Sequence, residues 1–191
     1  MERAARLEWQ EARLDGLLGA LGAEVELVED PRVARFAERE PLYPLYHRVG
    51  HKRQAAYRAL GGERVDRARV SEHYDLVLAA LTADDDPSSP RWLAQSLVAA
   101  AGRRRVLESL LRTVELGTPY ERGCAAGVWR WAEPPLRHAA DGTPTRTSVA
   151  ERASLAELRT RFEAACRSAA ADCPDPWARD RLRRAAADLA G

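Results

Sequence analysis

A chain of 191 residues is long enough for one well-buried domain or a short array of repeats, and too short for two ordinary domains with a linker. Basic and acidic residues nearly cancel, 30 against 29, so net charge gives no reason to expect a nucleic acid or a membrane surface as partner. The three cysteines, Cys124, Cys166 and Cys173, are odd in number and include no C-x-x-C pair, so neither a disulfide framework nor a zinc knuckle is suggested and reduced, mostly buried thiols are expected.

Lys52 is the only lysine, and arginine does all other cationic work amid abundant alanine, as the codon bias of a GC-rich bacterial genome would produce. The first twenty residues carry acidic groups where a signal peptide needs an unbroken apolar stretch. The longest uncharged run, Trp92 to Gly102, is far shorter than a membrane span, so a cytoplasmic protein is expected.

In chain order, residues 23–29 (AEVELVE) alternate as a strand would, but no partner strand is visible and an isolated strand is not stable, which leaves that segment open. Asp30-Pro31 starts a helix with a capping residue followed by proline, and Ser89-Pro90 and Asp175-Pro176 repeat the device. Residues 40–57 hold the densest polar and aromatic cluster. Tyr43, Tyr46, His47, His51, Lys52, Arg53 and Tyr57 fall close together there, and His47 and His51, four apart, share one helical face. Two histidines at that spacing could bind one metal ion. No carboxylate stands at a matching position as it does in H-E-x-x-H, and Gly50 weakens the local helix, so no metal is expected. Val70, Tyr74, Val77 and Leu81 recur at helical spacing.

The triplet Asp84-Asp85-Asp86 invites comparison with the aspartates that hold magnesium in helical diphosphate enzymes. Pro87 and Ser88 follow at once, however, and the triplet reads as a solvated loop whose last members cap a helix. Arg103, Arg104 and Arg105 follow Gly102 at an apparent helix start, where the dipole disfavours cations. Either the helix runs through Gly102, or these arginines serve the carboxyl end of the preceding helix, or they form a phosphate-binding patch.

From Val106 the apolar residues Leu107, Leu110, Leu111 and Val114 recur as one helical stripe, and Gly117 suits the left-handed residue that closes a helix. Thr118, Pro119 and Glu121 form a capping box with proline at the first helical position, and Pro134-Pro135 stops the helix so begun. Two helices joined by so short a turn must run antiparallel. At 100° per residue, Cys124, Ala125, Val128 and Ala132 centre the apolar stripe of the second helix. Trp129 and Trp131 lie on opposite shoulders, and Arg130 faces solvent. Large rings on both shoulders suit a helix clamped between two neighbours.

The run from Val106 to Ala132 resembles a unit of the HEAT-like helical repeat proteins. It has a leucine-rich helix, a tight turn with glycine, a capped start, an early arginine at Arg122 and a small-residue face at Ala125 and Ala126. The resemblance covers residues 106–132 and implies a curved stack of helix pairs that holds a partner, usually another protein.

Residues 139–148 read as a loop, after which Ser148 with Glu151 and Ser154 with Glu157 offer two competing capping boxes. The following stripe runs through Leu155, Leu158, Phe162, Cys166, Ala169 and Cys173.

The expected fold is therefore all-α: antiparallel helix hairpins stacked as a short HEAT-like solenoid or an irregular helical bundle, in a single domain over residues 1–191. No local signature joins cysteine, histidine and acid into a catalytic set, and no cofactor motif occurs, so neither an enzyme nor a cofactor is expected. The first functional reading is a non-catalytic protein-interaction module with a protein partner. The alternative is a small helical enzyme or ligand-binding protein with a pocket near Tyr43, His47 and His51. Expected contact residues are Tyr43, Tyr46, His47, His51, Arg53 and Arg130. A pocket on which the first cluster converges favours the alternative; side chains splayed over an open surface favour the interaction module.

Overall fold

The structure is a computed structural model and describes residues 1–27 and 30–190, the last of these by its backbone alone. Eleven helices account for its regular structure, and among the described residues there is no strand, only an isolated bridge between His138 and Pro144. The all-α expectation holds. Residues 23–27 take no regular structure, and the remainder of the segment left open as a strand, residues 28 and 29, lies outside the described residues.

The sequence reading takes 1–191 as one domain. Its contacts gather into two compact units, Met1–Ala100 and Ala101–Gly191, and the division falls at neither of the loops legible in the sequence.

The first unit contains α1 (Arg3–Leu21), α2 (Pro31–Ala37), α3 (Tyr43–Ala59), α4 (Arg67–Glu72), α5 (Tyr74–Leu81) and α6 (Pro90–Ala101). Helix α1 buries Leu7, Leu14, Leu17, Leu18 and Leu21 along one stripe against α3 and α5. The α1–α3 side of this core is laced by ion pairs from Arg3 to Glu40, Arg48 to Glu11 and Lys52 to Asp15, and each pair spans 37 positions. A constant offset means that α1 and α3 run in the same sense, with α2 in the connection, so this pair is not a hairpin. The stripe Val70, Tyr74, Val77, Leu81 is buried as expected, but the backbone breaks at His73 and divides it between α4 and α5.

The second unit contains α7 (Arg103–Leu116), α8 (Pro119–Ala132), α9 (Arg146–Ala153), α10 (Ala156–Ala171) and α11 (Pro176–Ala190). Helices α7 and α8 form the expected antiparallel hairpin around a complete capping box at Thr118 and Glu121. Gly117 is not left-handed: its φ is −70° and ψ 171°, an extended conformation open to any residue. What requires glycine there is space, since a Cβ would lie 2.6 Å from the Thr113 carbonyl oxygen. A second hairpin, α10 with α11, packs on the first, α10 against α7 and α11 against α8. Gly123 meets Trp177 and Gly127 meets Arg181, a spacing of four on both helices, so α8 and α11 run in the same sense. Arg104 at the start of α7 donates to the Ser154 carbonyl just before α10, which gives that pair the same sense too.

The arginine run answers its question in a fourth way. Helix α7 does begin at Arg103, and Gly102, with φ 81°, separates it from α6. Arg103 donates to the carbonyls of Ala132 and Glu133 at the end of α8 and pairs with Glu151, while Arg104 reaches Ser154. These cations serve the carbonyl ends of neighbours in the fold, where the dipole favours them. Neither competing capping box at the later helix forms: Thr145 caps α9, and α10 begins at Ala156 without a side-chain cap. The stripe from Leu155 to Cys173 is buried throughout.

Candidate functional site

Helix α3 starts with Pro44 in its first turn, and its 3.6-residue period brings Tyr43, His47, Gly50, His51 and Gln54 onto one side. The rings form a ladder that Phe36 of α2 extends: Phe36 to Tyr43 is 5.0 Å between centroids, Tyr43 to His47 6.2 Å, and His47 to His51 4.5 Å with the rings edge to face. Gly50 leaves a gap in this row. A Cβ built there would meet nothing within 4 Å.

Across the gap stand the loop after α5 and the first turn of α6, which contribute Asp86, Ser88, Ser89, Arg91 and Trp92. The Trp92 ring is backed by Tyr57 of α3, stacked at 5.7 Å with planes 21° apart. Between the two walls lies a cleft of about 320 Å³, within the range of natural small-molecule sites and at its lower end.

Arg53 lies at the base. It is 6% exposed and stands in the buried stripe of α3 with Val49 and Ala56. Its Nη2 donates to Oδ1 of Asp84 and to Oε1 of Gln10, both at 2.9 Å, and its Nη1 lies 3.7 Å from Asp86. Asp84 is 2% exposed and accepts further bonds from the Ser89 hydroxyl and the Asp86 amide. Burial pushes its carboxyl above the usual range, against the pull of Arg53. Asp86 goes the other way. Burial raises it, but the amides of Ser88 and Ser89 and the charge of Arg53 together hold it down to about 2. Tyr46 donates its hydroxyl to Asp86, and burial and that carboxylate raise its phenol. The aspartate triplet is therefore no solvated loop: two of its members neutralise a buried arginine, and Asp85 pairs with Arg6 of α1. The capping half of that reading is correct, since Asp86 accepts from the amides of Ser88 and Ser89 just ahead of α6.

Five of the six expected contact residues, Tyr43, Tyr46, His47, His51 and Arg53, thus line one cleft. Arg130 belongs to the second unit, exposed on α8 with its Cζ 4.8 Å from the centre of the Trp131 ring. The residues of the opposite wall, Trp92 and Arg91 foremost, were missed. They lie some forty positions downstream with no local pattern to betray them. One signal did exist: an arginine in the apolar stripe of α3 demands a buried acid, and the aspartate triplet is the densest supply in the chain.

His47 and His51 do share a face, and no group of three metal-ligating side chains is found among the described residues. The three thiols are buried, and burial pushes Cys166 up to about 12, so it behaves as a small hydrophobe. In comparisons with protein-family models, curated proteins and solved structures, the chain finds no match.

Proposed function

We propose that the protein is a non-catalytic binding protein whose first unit holds a small ligand in the cleft between α3 and the start of α6. The observation that carries this reading is the convergence of Tyr43, Tyr46, His47, His51 and Trp92 on one concavity. A non-catalytic role is supported by the serine hydroxyls that line the cleft. Ser88 Oγ donates to Asp86 and Ser89 Oγ to Asp84, so both serve the buried ion-pair network and neither is paired with an imidazole as an activated nucleophile would be.

Gly50→Leu tests the reading. A Cβ at this position meets nothing within 4 Å, so leucine enters the cleft without a clash at its root, and leucine is a better helix former than glycine. In a fragment screen of the full chain followed by protein NMR, fragments are expected to perturb cleft residues in the parent and to lose binding in Gly50→Leu. Fragments that bind equally well to both proteins, or only elsewhere, would overturn it.

A second reading concerns the second unit. Its two hairpins stack in the same sense, α7 beside α10 and α8 beside α11, an arrangement in keeping with HEAT-like repeats and with a protein partner that touches Arg130. Affinity capture from native lysate with the parent and with Arg130→Glu tests it. A protein held by the parent and lost from the variant supports the interaction module; identical recoveries argue against it.

A further inference from the structure

The cleft contains more basic side chains than its acids can use. Arg91, His47 and His51 line it, and none of the three makes a side-chain hydrogen bond or ion pair among the described residues. Its one lining carboxylate, Asp86, is saturated: it accepts from both the amide and the hydroxyl of Ser88, the Ser89 amide and the Tyr46 hydroxyl, and lies near Arg53. Asp30, whose charge reaches His47, is held by the side chain and the amide of Arg32. Arg53, which also lines the cleft, is nine-tenths buried and its Nε has no protein partner. Of these donors only Arg53 Nε is buried and calls for an acceptor that the protein does not itself provide, while Arg91, exposed, and the half-buried imidazoles stand free to meet the same ligand.

The walls narrow the class. Tyr43 and Trp92 line the cleft from opposite elements, and Tyr57 stacks on the Trp92 ring. Such surfaces favour a flat, apolar body. A volume of about 320 Å³ suits one small ring system. A phosphate would be expected to use the amides at the start of α6, but Pro90 has none, those of Arg91 and Trp92 bond to the Ser88 and Ser89 carbonyls, and those of Ser88 and Ser89 just ahead of the helix already serve Asp86. An arginine fork, by contrast, matches a planar carboxylate.

On the premise that the cleft is a ligand site, we infer that its ligand is a small planar aromatic carboxylate. Its ring lies between Tyr43 and Trp92, and its carboxylate is held by Arg91 with help from the imidazoles of His47 and His51.

Three probes, titrated calorimetrically into the full chain, test the assignment: 2-naphthoate, its uncharged isostere 2-naphthamide, and cyclohexanecarboxylate, which keeps the charge and loses the aromatic face. The parent is expected to bind 2-naphthoate at least tenfold more tightly than either of the others. Arg91→Gln, a change at an exposed position that circular dichroism should find folded, is expected to erase most of the advantage over the amide. Equal binding of acid and amide, or an Arg91→Gln variant that retains the discrimination, overturns the carboxylate assignment and leaves the cleft as a site for another chemistry. Equal binding of cyclohexanecarboxylate overturns the aromatic half. If none of the three binds, the class is wrong, and the Gly50→Leu fragment screen decides separately whether the cleft binds anything.

Discussion

Trp129 of α8 lies flat against Phe162 of α10, ring centroids 3.8 Å apart and planes 25° apart. The contact joins the two hairpins of the second unit across its core, with Trp129 only 3% exposed and Phe162 fully buried. Trp131, on the other shoulder of the same helix, is half-buried, and Arg130 between them is exposed. The two tryptophans are therefore not equivalent. Trp129→Ala should cost about 3–5 kcal/mol, Trp131→Ala clearly less, and Arg130→Ala within about 0.5 kcal/mol of nothing. Trp129→Phe should be much milder than alanine, because it keeps a ring on Phe162 and removes an indole N–H that is buried without a protein partner. Urea denaturation of the four variants checks the order, and equal midpoints for Trp129→Ala and Trp131→Ala would contradict it.

Two glycines in helices should respond to alanine with opposite signs. At Gly123 a Cβ would lie 2.8 Å from the Trp177 ring and 3.1 Å from the Ala178 Cα, so it would force α8 and α11 apart. Overpacking of this kind costs typically about 1–3 kcal/mol. At Gly16, on the exposed side of α1, a Cβ meets nothing within 4 Å. There alanine removes only the entropic penalty of a helical glycine and should stabilise by about 0.5–1 kcal/mol. Thermal melts of Gly123→Ala and Gly16→Ala should move in opposite directions; a shared direction would mean that the α8–α11 approach is looser than described.

What the sequence made legible follows from what is local. The capping box at Thr118, the apolar stripe from Leu155 to Cys173 and the shared face of His47 and His51 depend on spacings of three and four within one helix, and all three appear in the structure. The break at His73, the burial of Asp84 and the wall carrying Trp92 depend on which helices meet, and periodicity carries no such information. Gly117 shows the same limit at one residue. A glycine after a helix suggests a left-handed cap, whereas here the tight approach to the Thr113 carbonyl selects it. The one long-range clue that could be read was chemical: Arg53 in an apolar stripe implied an acid elsewhere.

Acid should weaken the first unit through Glu11. The Arg48 hydrogen bond is the main reason that its carboxyl is held down to about 2, with Lys52 assisting and burial opposing. A carboxylate whose folded pKa lies below its unfolded value contributes stability that is fully present above the unfolded pKa, here 4.5, and is lost as pH falls towards 2. Asp86, held at about 2, acts with the same sign, whereas Asp84, raised by burial, opposes them. Glu11→Gln should therefore lower the urea midpoint at pH 7 and flatten its decline between pH 5 and pH 2. A variant whose midpoint falls with acid as steeply as the parent's would show that Glu11 is not the group responsible.

The pair Arg53 and Asp84 should behave as a unit. At 2.9 Å, with side chains 6% and 2% exposed, neither partner has water to turn to if the other is lost. Breaking a buried pair from one side typically costs about 3–5 kcal/mol, because it leaves an uncompensated charge, whereas removing both charges is far milder. Arg53→Met keeps most of the apolar stem and strands Asp84, whose carboxyl burial already pushes upward. Without the arginine that push is unopposed by its strongest attraction. The variant should thus regain stability relative to the parent as pH falls and Asp84 takes up a proton in the folded state. Arg53→Met with Asp84→Asn removes both charges and leaves an amide oxygen to accept from Ser89, so the double variant should be more stable at pH 7 than Arg53→Met alone. A double-mutant cycle by urea denaturation at pH 7 and pH 5 measures this coupling. Additive losses at both pH values would mean that the Arg53 guanidinium stabilises the unit through Gln10 and Asp86, with Asp84 a bystander.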